Sequence, residues 1–292
     1  MFTIHDLLAI GTVPAVVAAL VLTLGWRTQR HALGRSESPM VAVELAVALG
    51  FAAGWIALFG RGDFPPNDVT CWLLWASVPL GASFSLARWS EAPLEARLVL
   101  VGAATAVLYT LVAWPLLSLD DAPGRQLCWR VAVAVGLTTV GIFGMDMLGE
   151  RLTFRRTLLV ELVGTTAASM ALLLAGSQPL AQAELLLAGV CLGGLATTVW
   201  IGRAGSGGAL AAMMGMLHGG ILLCGNLYAQ LGTESAALLL LAPCAAWAGE
   251  PLAHHRHGAA GLRRATLQVA LVAAAASLPV WIAWRNSAAA IR

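Results

Sequence analysis

The groups in this chain that could do chemistry are few, and most are arginine, histidine or carboxylate. Lysine is absent, which removes Schiff-base chemistry on a lysine amine and with it a retinal protein of ordinary type. The densest cluster is His254, His255, Arg256 and His257. Imidazole binds zinc readily, but this spacing does not share one helix face and no cysteine lies nearby, so the run reads as a cationic loop that meets phosphate. Arg88 and Arg203 offer planar donors of the same kind. Glu44 and Glu161 each fall about one turn inside an apolar stretch and Asp146 near the end of one, where an ionisable group is costly and points to function. Singly, such groups also suit snorkelling at an interface; together they suggest one polar site. His218 and Asn226 lie deeper, among glycines and methionines, where a hydrogen bond between helices is the expected role. Cys71, Cys128, Cys191, Cys224 and Cys244 show no metal-ligand spacing, and Cys71 and Cys128 are the two placed where they could pair.

The elements that must position these groups are membrane helices. The chain is 59% hydrophobic and 11% charged, with a mean hydropathy of +0.80, too apolar for a soluble domain whose surface must carry charge. Apolar runs of about 20 residues recur along its length, each able to cross about 30 Å of hydrocarbon as a helix. The short alternating strands of a β-barrel are not visible. Spans are expected near Leu7–Trp26, Met40–Gly60, Cys71–Trp89, Arg97–Leu119, Leu127–Leu148, Thr157–Gly176, Glu184–Ile201, Gly207–Leu231, Ser235–Gly249 and Ala265–Trp284. The expectation is an all-α, polytopic protein of about ten helices, with residues 1–292 forming a single transmembrane domain.

Arginine sets the orientation, because positive residues in short loops stay in the cytoplasm. Arg27, Arg30, Arg35, Arg88, Arg97, Arg151, Arg155, Arg156, Arg203, Arg256, Arg263 and Arg264 fall in alternate loops on one side. Asp63, Asp68, Asp120, Asp121 and Glu234 fall on the other, with Arg61, Arg125 and Arg130 against them. Both termini are therefore expected outside, and the first span, lacking a basic region before it, is expected to be a retained anchor.

Loop by loop, the arginine side resembles the polyprenyl-phosphate N-acetylhexosamine-1-phosphate transferases (glycosyltransferase family 4), which include phospho-N-acetylmuramoyl-pentapeptide translocase. The first stretch, RHALGRSESPMVAVELAVALGF, is similar to the family's basic, Ser/Thr- and Pro-containing segment, with Val41 and Ala42 where Gly-Gly is usual. The second, LARWSEAPLEARL, resembles L-D-D-x-x-x-x-S-x-x-x-R-L, ending on Arg97 and Leu98, but Ala87 and Arg88 occupy the two aspartate positions. The third, GMDMLGERL, keeps Asp146 from a D-G-x-D-G-L pattern, with Gly149 at the second acidic position. The fourth, WIGRAGSGGAL, keeps Gly202, Gly205 and Ser206 of F-x-G-D-x-G-S, with Arg203 replacing the aspartate. The fifth, AHHRHGAAGLRRATL, resembles H-H-R followed by G-L-x-R-R-x-x-L and matches at His254, His255, Arg256, Gly261, Leu262, Arg263, Arg264 and Leu267.

The resemblance implies ten helices with both termini outside, five inner loops building a cytoplasmic-face site, residence in a bacterial cytoplasmic membrane, and a role in cell-envelope glycan assembly. In the family, magnesium bridges a sugar nucleotide's pyrophosphate while a polyprenyl phosphate attacks and UMP leaves. Ala87, Arg88 and Arg203 change the local charge from about −3 to about +2 where that cation would sit, so no metal or other cofactor is expected. The leading expectation is a non-catalytic homologue that holds polyprenyl phosphate or another anionic lipid through Arg88, Arg203, His254, His255, Arg256, His257, Gly202, Gly205 and Ser206, or supports an envelope-biosynthesis partner. An active UDP-sugar transferase using magnesium with Asp146, Glu150 and Glu44 is the second. A lipid or solute transporter with Glu44, Glu161 and His218 on its path, and spans broken at Pro14, Pro79, Pro115 and Pro179, is the third. A homodimer follows from the resemblance, and no nucleic-acid partner is expected.

Overall fold

A computed structural model describes residues 6, 8–33, 40–62, 64, 66, 68–89, 93–117, 124–201, 208–249 and 259–290. All the regular elements among them are helical. A π-helical turn, Leu8–Thr12, leads into α1 (Val13–Leu33), followed by α2 (Met40–Phe59), α3 (Cys71–Trp89), α4 (Leu94–Leu117) and α5 (Gly124–Arg151). Then come α6 (Phe154–Leu174), α7 (Gln178–Ile201), a 3-10 turn at Gly208–Leu210, α8 (Ala211–Tyr228), α9 (Thr233–Leu241) continued as a 3-10 helix over Ala242–Gly249, and α10 (Ala259–Ala290). Eight of the helices are long and apolar enough to cross a membrane, and the two other apolar stretches, Cys71–Ala87 and Thr233–Ala248, are shorter. Helices suit a lipid solvent because each satisfies its own backbone groups.

Both the core and much of the surface are apolar, with a small number of polar side chains enclosed among the helices. Val99, Val107, Trp114, Trp129, Val140, Trp200 and Trp284 are exposed, whereas Glu44, Thr138, Thr157, Ser169, Glu184, His218 and Gln268 are buried. Apolar side chains facing outward meet lipid at little cost, while polar ones gain only where another helix offers a partner. Trp114, Trp129 and Trp284 stand towards one end of their helices, as tryptophan does where hydrocarbon meets headgroups.

Glycine decides how closely the helices approach. Gly50 and Gly54 of α2 and Gly189 and Gly193 of α7 repeat at a four-residue interval and close onto Pro14, Ala15 and Ala18 of α1. A Cβ at Gly193 would collide with the Ala15 backbone, and one at Gly189 would stand 2.6 Å from the Ile10 carbonyl oxygen. Such small-xxx-small faces let backbones touch where no hydrophobic force drives helices together in lipid.

The α6–α7 corner is fixed locally. Gly176 takes φ +87°, Gly176 N donates to the Leu173 carbonyl and Ser177 N to that of Leu172, both at 3.0 Å. This left-handed glycine ending satisfies the last carbonyls of α6. Helix α7 restarts at Gln178, six residues before the start expected from sequence. Pro179 occupies its first turn, where no intrahelical donor is lost; Pro14 is the second residue of α1 and follows directly on the π-helical turn Leu8–Thr12. Pro79 and Pro115 lie inside helices that continue through them, so none of the four prolines ends a span.

Candidate functional site

Two polar regions are formed, and α4, α5 and α8 contribute to both. The first is a partly open cavity of about 30 Å³ at the arginine-rich end, lined by Glu44 of α2, Phe84 and Ala87 of α3, Arg97 and Val101 of α4, Ile142 and Asp146 of α5, and Ala212 of α8. Gly81 brings α3 onto the Glu44 turn of α2, since a Cβ there would meet Ala48 and lie 3.1 Å from the Glu44 carbonyl. Glu44 is fully buried. Its Oε2 accepts the Met213 backbone N–H at 2.9 Å, one of the donors that the first turn of α8 leaves unpaired, and the carboxylate meets the positive end of that helix.

Across the cavity, Arg97 Nη1 lies 3.7 Å from Asp146 Oδ2, with side-chain exposures of 25% and 13%. That is an electrostatic contact rather than a close hydrogen bond. Arg97 Nε is buried and has no hydrogen-bond acceptor among the described residues. A guanidinium with an idle N–H in a cavity is poised to receive an oxyanion.

The second region lies within the helix bundle. His218 of α8 sets Nδ1 at 3.0 Å from both carboxylate oxygens of Glu184 on α7, and its Nε2 faces the Leu239 carbonyl of α9 at 3.5 Å. Glu161 of α6 is within electrostatic range of both. Beside them, Tyr109 of α4 donates to the Met216 carbonyl at 3.2 Å and shares a 3.0 Å hydrogen bond with Thr138 of α5. Gly219 makes room for this group, because a Cβ there would strike the Tyr109 hydroxyl.

The 3-10 segment after α9 packs on both neighbours of this region. Pro243 rests on Gly164 of α6, 3.2 Å from where a Cβ would stand, and Trp247 Nε1 donates to the Gly144 carbonyl of α5 at 3.1 Å. Arg151 stacks over the Trp247 ring at 5.4 Å.

Of the residues singled out from sequence, Asp146 lines the cavity, with Glu44 and Ala87. Arg88 lies in the last turn of α3, directly after Ala87, and its side chain is outside the described residues. Gly202, Arg203, Gly205, Ser206, His254, His255, Arg256 and His257 are also outside the described residues, as is the Glu150 side chain. Glu161 and His218, read together as a path with Glu44, fall instead into a separate cluster. Asn226 does bond between segments, donating to the Leu231 carbonyl at 2.7 Å and to Thr233 Oγ1 at 3.1 Å. Cys71 and Cys128 are free thiols.

Sequence reasoning missed Glu184. Apolar length alone sets it at the mouth of a span, whereas α7 starts at Gln178 and carries Glu184 about 9 Å inward. The available signal was Pro179, a residue favoured in a first helical turn. The unpaired Nε of Arg97 carries no sequence signal at all. No protein-family model matches the chain, and no curated protein is significantly similar to it.

Proposed function

We propose that this multi-pass membrane protein binds the phosphate head of a polyprenyl phosphate, or an anionic lipid of that kind, in the cavity at its arginine-rich end, as a non-catalytic relative of the phosphosugar transferases it resembles. The observation that carries the reading is the Arg97 guanidinium: it lines the cavity with a buried Nε–H that no described acceptor satisfies. A phosphate oxygen completes that donor set, and the neighbouring lipid phase accommodates the chain. Arg88 follows a cavity-lining residue directly, and Arg203 and the His254–His257 run supply further positive charge in this reading. It also takes the arginine-rich end as cytoplasmic, both termini as outside, and a bacterial cytoplasmic membrane as the site of action, with a second copy or an envelope-assembly protein as partner.

The donor set does not suit the magnesium ion that the resemblance implies. Ala87 offers no oxygen in its side chain, the Asp146 carboxylate faces Arg97, and Glu44 accepts from the Met213 amide. Hard cations take carboxylate oxygens in a near-octahedral set, and among the described residues no three candidate ligands gather for one. In this reading Arg97 holds phosphate, Asp146 orients Arg97, and no bond is made or broken.

The test is retention of labelled undecaprenyl phosphate by protein in lipid nanodiscs. Retention falls at least about tenfold, or about 1.4 kcal/mol, in an Arg88→Ala, Arg203→Ala double variant and again on Arg97→Ala. Equal retention by all three proteins removes the basis of the proposal. A second reading, an active transferase, is favoured by one fact: Glu44 and Asp146 share a single cavity. Magnesium-dependent UMP release from a UDP-sugar, lost on Asp146→Asn, selects that reading instead.

A further inference from the structure

Glu161, Glu184 and His218 lie outside the cavity proposed to hold phosphate, yet they are among the most enclosed ionisable groups in the bundle, at 4%, 0% and 2% exposure. In such surroundings each proton must be accounted for. The Leu239 carbonyl facing His218 Nε2 can only accept, so that nitrogen carries a hydrogen. Nδ1 faces a carboxyl group, and so either donates to a carboxylate or accepts from a carboxylic acid. Both arrangements hold one proton more than a neutral imidazole beside a carboxylate. The Glu184–His218 pair is therefore neutral overall, with one proton shared.

Glu161 is left over. Among the described residues no hydrogen-bond donor reaches its carboxyl group. Its electrostatic neighbours are Glu184 and Cys191 on α7, His218 on α8 and Cys244 on the 3-10 segment. On α10, which also packs on α6, the described side chains hold no titratable group before Arg285 at the far end, and on α9 the acid is Glu234 in its first turn. Tyr109 of α4 adds a hydroxyl near Glu184. None of these offers a cation beyond the one proton the pair already shares; on α6 itself Arg155 and Arg156 stand in the first turn, about 8–9 Å back along the axis, and exert no resolved pull on Glu161. An ionised Glu161 would thus be a net charge in a membrane interior, an arrangement that buried carboxyl groups escape by taking up a proton.

We propose that Glu161, with the Glu184–His218 pair beside it, is an intramembrane proton-binding site, in which the pair shares one proton and Glu161 carries a second that it exchanges with water. On release the carboxyl O–H bond breaks, the proton passes to water, and the carboxylate left behind is held only by the field of the pair. Its position places that change of charge beside Pro243 and Cys244, where the backbone passes from α9 into the 3-10 segment.

The experiment is infrared spectroscopy of the full chain in nanodiscs, comparing the carbonyl stretch of protonated carboxylic acids in light and heavy water across a pH titration. The wild type at neutral pH is expected to show a deuteration-sensitive acid band that disappears as pH is raised. That band is missing from Glu161→Gln and shifted in frequency, but present, in Glu161→Asp, which keeps the acid. An absent band in the wild type, a band unchanged in folded Glu161→Gln, or one that persists until the protein unfolds overturns the proposal. Should Glu161→Gln fail to fold, the wild-type titration and the Glu161→Asp shift decide between the same two results.

Discussion

The cavity at the arginine-rich end and the cluster in the bundle use the same residue types, but they are finished to different degrees. In the cavity, Arg97 and Asp146 are partly exposed, 3.7 Å apart, and leave a guanidinium N–H idle. In the bundle, His218 and Glu184 are enclosed, and both ring nitrogens face oxygens. A loose ion pair with an unused donor has capacity for a ligand; a closed pair holds what it already has. The contrast separates a place where something is received from one where charge is managed within the fold.

That contrast can be broken by substitution. The largest expected effect is at the closed pair: Glu184→Ala strands the imidazole and its proton in the bundle and lowers stability by about 3–5 kcal/mol, read as thermal unfolding of the purified protein in detergent. A loss no larger than that of Arg97→Ala would erase the distinction. Next comes the glycine seam, which supports the α7 side of the cluster. Gly193→Ala forces a Cβ into the Ala15 backbone and costs about 1–3 kcal/mol. Gly136→Ala, where a Cβ meets nothing within 4 Å, is neutral or gains up to about 1 kcal/mol from helix propensity. The smallest loss is at the cavity: Arg97→Ala costs less than about 1 kcal/mol of stability while weakening lipid retention. A stability loss as large as that of Glu184→Ala would make Arg97 a structural residue and sharpen the comparison in the opposite direction.

Much of the architecture was readable because lipid makes apolarity nearly continuous along each span. Cys71–Trp89 coincides with α3, and the Met40 start coincides with that of α2. The errors fall where local chemistry overrides apolar length. Gln178, Pro179 and Gln182 look like a connection, yet they form the first turns of α7, because a first-turn proline loses no hydrogen bond and Gln182 is buried. That shift moved Glu184 from a helix mouth into the bundle. The convergence of Glu44, Ala87 and Asp146 on one cavity depends on how α2, α3 and α5 pack, and close approach at Gly81 is a pairwise fact that one chain position does not announce. The pairing of His218 was expected in kind, as a bond between helices, but its acidic partner lay 34 residues away on a different helix.

The change of winding after Leu241 has a consequence for reach. Nine α-helical residues, Thr233–Leu241, rise about 13.5 Å at 1.5 Å each, and eight 3-10 residues, Ala242–Gly249, rise about 16 Å at 2.0 Å each. Together they extend about 30 Å, whereas the same seventeen residues wound entirely as α-helix would extend about 26 Å. The tighter coil stretches a short segment to the thickness of the hydrocarbon layer.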